Sequence, residues 1–139
     1  MKFCRFLFLI SLAFAFAQVG AAQKTSIGAV AKASAFANIE LSRVRLRPCE
    51  ETTKKCALNV LSASDDRVTE TPSSVEIFKF GKNKVVVLLT YKIDADDSVA
   101  GERYRAEFNK NAGKLEFVQL GKQFKCARVR KGWSKRLCP

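Results

Sequence analysis

The sequence predicts an α+β domain: an antiparallel β meander of four or five strands with an N-terminal helix or loop layer, stabilised by disulfides, with an all-β domain as the alternative. Three features carry this expectation. An export-type leader precedes four spaced cysteines; residues 84–94 carry an unbroken apolar run from Val85 to Leu89; and residues 102–109 alternate cleanly between apolar and charged side chains.

The leader comes first. Lys2 and Arg5 flank the start of an apolar run, residues 6–17, which ends in small residues with cleavage positions after Ala17 or after Ala22. That run is about half the roughly 20 residues that span a bilayer. Residues 1–22 therefore read as a signal peptide, and 23–139 as a single exported domain, periplasmic or secreted. Cys4 leaves with the leader. Cys49, Cys56, Cys126 and Cys138 remain in a compartment where disulfides persist. The whole chain carries a formal net charge of +12, and losing Lys2 and Arg5 leaves it strongly basic.

Residues 23–38 are rich in alanine and small polar side chains, and suit either a short amphipathic helix or a loosely held arm. Residues 39–47 fit both periods, and the alternation of Val44 and Leu46 with Arg43, Arg45 and Arg47 favours a strand in the second half. Residues 48–62 admit two structures. As a helix, Pro48 suits the first turn and Glu50 and Glu51 suit its positive end. Positions i and i+7 of a helix, however, lie about 10.5 Å apart, too far for a disulfide. Cys49 and Cys56 can then bond each other only across a hairpin or loop, whereas a helix would send each to Cys126 or Cys138. Four cysteines allow three connectivities. Local pairing is the expected one, because each pair brackets a short, polar, turn-like segment.

After a polar connector containing Pro72, the chain turns to β. Residues 75–80 form a strand, Gly81, Lys82 and Asn83 turn it, and residues 84–94 form a central strand covered on both sides, since Val85 through Leu89 are apolar in succession. In residues 102–109, Tyr104, Ala106 and Phe108 fall on one face and Arg103, Arg105 and Glu107 on the other. Asn111, Ala112 and Gly113 reverse the chain into a strand over 114–121, and a last strand passes through Phe124 and Cys126.

Catalysis finds little foothold. The chain has no histidine, which removes the usual nucleophile pairs, the commonest zinc ligand and the neutral-pH general base. The cysteine intervals do not match zinc knuckles, and there is no Cys-x-x-Cys redox motif. Asp94, Asp96 and Asp97 read as a turn rather than a calcium loop, and nothing in the pattern sets two of Glu102, Glu107 and Glu116 across a cleft. A noncatalytic protein without cofactor or metal is expected.

The C-terminal segment, residues 122–139, contains Lys122, Lys125, Arg128, Arg130, Lys131, Lys135 and Arg136 and no acid, with Phe124 and Trp133 interleaved. This composition suits an anionic polymer or lipid headgroups, and Arg43, Arg45 and Arg47 would extend the patch. The same residues also suit a solvated basic face with Trp133 packed over a Cys126–Cys138 loop. Another reading makes Trp133 the anchor for an exported protein partner, as in an inhibitor or adaptor.

Asp96, Asp97, Ser98 and Val99, then Glu102, Arg103, Tyr104 and Arg105, then Cys126, Trp133 and Cys138, resemble the ending of a group of small exported bacterial proteins of unknown function. The resemblance covers about residues 85–139. It implies a shared β core closed by Cys126 and Cys138 in a bacterial envelope or secreted setting, and it brings no activity. The chain departs from that group at Lys114, Leu115, Glu116 and Phe117, where those proteins tend to carry tryptophan.

Overall fold

A computed structural model describes residues 28, 30, 32–41, 46–64, 70–94, 98–128 and 131–139. The expected signal peptide with its cleavage positions, Arg43, Val44 and Arg45, Asp96 and Asp97, and Arg130 lie outside the described residues. Within them, a 3-10 turn at Ala33–Ala35 leads into β1 (Ala37–Ile39), followed by α1 (Thr53–Ser64), β2 (Ser74–Phe80), β3 (Lys84–Lys92), β4 (Val99–Asn111), β5 (Lys114–Cys126) and β6 (Trp133–Ser134). The six strands form one antiparallel sheet in the order β1-β5-β4-β3-β2, and β6 also pairs with β5. Strands β2 to β5 are the meander. One helix and two disulfides complete the described architecture.

β3 lies in the middle of the meander, and its residues divide by parity between two cores. Val85, Val87, Leu89 and Tyr91 meet Tyr104, Ala106, Phe108 and Leu120 under the buried stripe of α1, formed by Cys56, Ala57, Val60 and Leu61. Residues i, i+1, i+4 and i+5 of a helix share one side, so a 12-residue helix with that stripe covers this face. Val86 and Leu88 point the other way, beneath Val30 and Phe36. An unbroken apolar run thus calls for cover twice over, from α1 on one face and from the segment before β1 on the other.

Several boundaries differ from the sequence expectation. β5 runs without interruption from Lys114 to Cys126, merging two expected strands, because continuous pairing with β4 absorbs the irregularity near Glu107 and Phe108 as a bulge. Leu46 and Arg47 are outside any strand. The choice between helix and local disulfide at residues 48–62 was a false one. Cys49 forms an antiparallel bridge to Leu115, and the helix begins only at Thr53. Only Cys56 is helical, so the two Cα atoms come within 5.9 Å and the cysteines pair locally. The bond fastens the first turn of α1 to the start of β5. Cys126 and Cys138 pair across 5.5 Å between their Cα atoms.

The face carrying Arg105 and Glu107 is not solvated, as their alternation with apolar residues would suggest. Arg105 is 1% exposed. Its Nε donates to the Val30 carbonyl at 2.8 Å and its Nη2 to Glu107 Oε2 at 2.6 Å. Gln119 Nε2 donates to the same carboxylate at 2.9 Å, and the Lys84 ammonium reaches its other oxygen at 2.5 Å. Gln123 Nε2 donates to the Ala35 carbonyl at 3.0 Å, and Lys135 Nζ to that of Ser34 at 3.1 Å. Three side chains therefore hold the Val30, Ser34 and Ala35 carbonyls, and with them the segment before β1, as a strap across the second face. Gly121 lets the strap lie close, since a Cβ there would come within 2.7 Å of the Phe36 Cβ.

Gly121→Ala should lower stability by about 1–3 kcal/mol through overpacking, read from urea unfolding by Trp133 fluorescence. Gly28→Ala, where an added Cβ meets nothing within 4 Å, should cost far less. Burial alone would raise the Glu107 pKa, but hydrogen bonds from Lys84, Gln119 and Arg105, with the Arg105 charge, hold it at about 2 instead of 4.5. A pKa depressed on folding stabilises the native state above the ordinary carboxylate range and loses that contribution as pH falls through the folded value. Urea midpoints should therefore drop between about pH 4.5 and pH 2, and Glu107→Gln should flatten that part of the profile.

Candidate functional site

The C-terminal segment folds back alongside β5. Lys125 pairs with Trp133 and Phe124 with Ser134, and this short ladder and the Cys126–Cys138 bond close the C-terminal segment into a loop against β5. Lys125, Arg128, Lys131, Lys135 and Arg136 are exposed on or beside it. Lys125, Lys131 and Arg136 have no ion pair among the described residues, while Lys135 also holds the Ser34 carbonyl.

Lys122 is placed differently. It lies opposite Tyr104, on the α1 side of the sheet, with its ammonium 2.7 Å from Glu102 and over the rings of Tyr104 and Phe124 at 4.9 and 5.0 Å. An odd separation along β5 puts Lys122 and Lys125 on opposite faces. Phe124 goes with Lys122 and Trp133 with Lys125, so the two aromatics do not make one stacking row. Arg47 is exposed and outside any strand.

Trp133 packs rather than projects. The Arg103 guanidinium lies 4.1 Å from the centre of its ring, a cation–π contact. A Cβ on Gly101 would come within 3.4 Å of the indole edge. Burial pushes the Arg103 pKa down and the Glu76 charge opposes this, while its Nε has no hydrogen-bond partner among the described residues. A narrow cleft of about 160 Å³ separates Trp133, Arg103 and Gln123 from Phe36 and Leu88. Leu137, nearby in the sequence, is 68% exposed.

The acidic residues considered for catalysis or metal binding are dispersed. Asp94 pairs with Lys92 at 2.7 Å. Glu102 receives Lys122 and the Tyr104 hydroxyl, Glu107 is enclosed on the other face, and Glu116 accepts from Asn111 at 3.3 Å. Among the described residues no three metal-ligating side chains come together.

Sequence reasoning missed a second basic region. The β2–β3 and β4–β5 turns emerge at the same end of the meander, and there Lys79, Lys82, Lys84 and Lys110 line a cleft of about 440 Å³ with Thr52 and Thr53 at the start of α1. The signal was available. Lys82 sits inside one predicted turn and Lys110 just before another, and consecutive hairpins of a meander place alternate turns at one end. Eleven residues of β5 separate this end from Cys126, roughly 35 Å at strand rise.

Two disulfides suit an oxidising, extracellular-type environment. No described helix is long and apolar enough to cross a membrane. No family model, curated protein or solved structure matches the chain.

Proposed function

We propose that this chain is a noncatalytic exported module, of the bacterial envelope or secretome, that binds anionic material through its C-terminal loop. The observation that supports it is the grouping of Arg128, Lys131, Lys135 and Arg136 on a loop stapled at Cys126 and Cys138, with Lys125 beside it on β5, in a segment without a single acid. A loop closed by a covalent bond and a strand ladder loses less conformational entropy on binding than a free basic tail. The ring of Trp133 is engaged by Arg103, and Phe124 faces the other side of the sheet, so the geometry offers no platform for stacking successive bases. Acidic glycans and anionic headgroups fit better than nucleic acid.

A second reading, capture of an exported protein, draws on the exposure of Leu137 in the same loop. Salt separates the two. Affinity for heparin or anionic vesicles should fall roughly a hundredfold or more between low and moderate salt, as counterion release by about five contacts requires. Lys131→Glu with Arg136→Glu should weaken it further and flatten the salt slope. Salt-resistant binding of one protein that is lost in Leu137→Asp would favour the second reading and overturn the first.

A further inference from the structure

We propose that the cleft between the two hairpin turns is a separate site for a compact, multiply charged phosphoryl group. It goes beyond the C-terminal reading and rests on different residues. Lys79 on β2 and Lys110 on β4 share the α1 side of the sheet, and Lys82 stands in the β2–β3 turn. All three are exposed, and none has an ion pair among the described residues.

Their neighbours make the contrast. Lys84 is paired with Glu107, Lys114 with Glu50 at 2.6 Å, and Lys55 with Glu51 at 2.8 Å. Glu50, Glu51 and Glu107 are thus engaged with lysines outside the trio, and Glu51 is the carboxylate that lines the cleft. The unpaired lysines are left to repel one another across a concave surface.

They are also held in place. The Lys110 backbone N–H donates to the Asn83 carbonyl at 2.6 Å, which ties the tip of one hairpin to the strand beside the tip of the other and keeps Lys82 near Lys110. Val85 and Leu115 contribute apolar lining, and among the described residues no aromatic ring lines the cleft. A nucleobase or aromatic ligand would find nothing to stack on. Lysine ammoniums are compact point charges that serve oxyanions without the planar match an arginine demands. Two or more negative charges on adjacent phosphoryl oxygens would relieve the repulsion among three cations at once, which a monovalent anion cannot do. The ligand class is therefore pyrophosphate or a terminal phosphomonoester.

Inorganic pyrophosphate titrated into the disulfide-intact protein at low salt, followed by amide chemical shifts and calorimetry, tests this. Shifts should concentrate at residues 79–84 and 110–113. Lys82→Ala with Lys110→Ala should weaken binding roughly tenfold, and Lys131→Glu with Arg136→Glu should leave it unchanged. Loss of heparin binding in the C-terminal variant with pyrophosphate binding intact keeps the two sites distinct. Vesicles containing phosphatidic acid, compared with phosphatidylcholine alone, separate the sources: capture lost in the Lys82/Lys110 variant assigns a lipid phosphomonoester, and pyrophosphate binding without capture assigns a soluble one. Absence of shifts at both hairpin tips, or unchanged affinity in the Lys82/Lys110 variant, overturns the proposal.

Discussion

Two-sided burial of β3 is the constraint on which the rest of the structure depends. A strand apolar at five consecutive positions, Val85 to Leu89, all buried, exposes oily surface on whichever face is left bare. α1 covers one face with ordinary side-chain packing. The other is closed by a strap whose Val30 and Phe36 pack on Val86 and Leu88, and a buried polar knot holds that strap. Arg105 is the centre of the knot. Its Nε takes the Val30 carbonyl while Glu107 neutralises its charge, and Lys84 and Gln119 satisfy the remaining carboxylate valence. Buried charges are tolerated when they are paired and hydrogen-bonded in this way, and removing one partner leaves the other costly.

The strap links the two ends of the chain. Gln123 and Lys135 hold it from β5 and from the C-terminal loop, Phe36 lies on Gly121, and β1 pairs with β5 on the edge it shares with β6. The basic loop is therefore braced by the N-terminal segment as well as by the Cys126–Cys138 bond. The opposite end is organised by shorter-range means, with one hairpin bonded to the other and α1 fastened by Cys49–Cys56. Cationic surface gathers at these two braced ends, and the faces between them are spent on burial.

Much of this was legible in the sequence, and the exceptions have physical causes. The meander, the turns at Gly81 and Gly113 and the double cover of β3 follow from period-two patterning and from the apolar run. The burial of Arg105 and Glu107 does not, because a charged alternation looks the same whether its face meets water or a strap with polar backbone atoms to satisfy. β1 and β6 are too short to show a period. Cys49 and Cys56 pair locally as expected; a helix and a local bond excluded each other only with both cysteines on one helix, whereas a start at Thr53 places only the second on it. At the candidate site, composition marked the C-terminal cations but could not sort them by face, so Lys122 and Phe124 appeared with residues they do not join. The lysines of the hairpin cleft are scattered in sequence and meet only when alternate turns converge.

Native-state hydrogen exchange of Arg105→Met tests the central claim most directly, since methionine keeps the apolar stem and removes the donors that hold the strap. The amides of Ala35 and Phe36 at the end of the strap, and of β1 (Ala37–Ile39) that continues it, should exchange at least about tenfold faster than in the parent protein, while those of α1 stay protected. Unchanged protection across residues 35–39 would contradict the account, because the strap would then stand without the knot assigned to hold it.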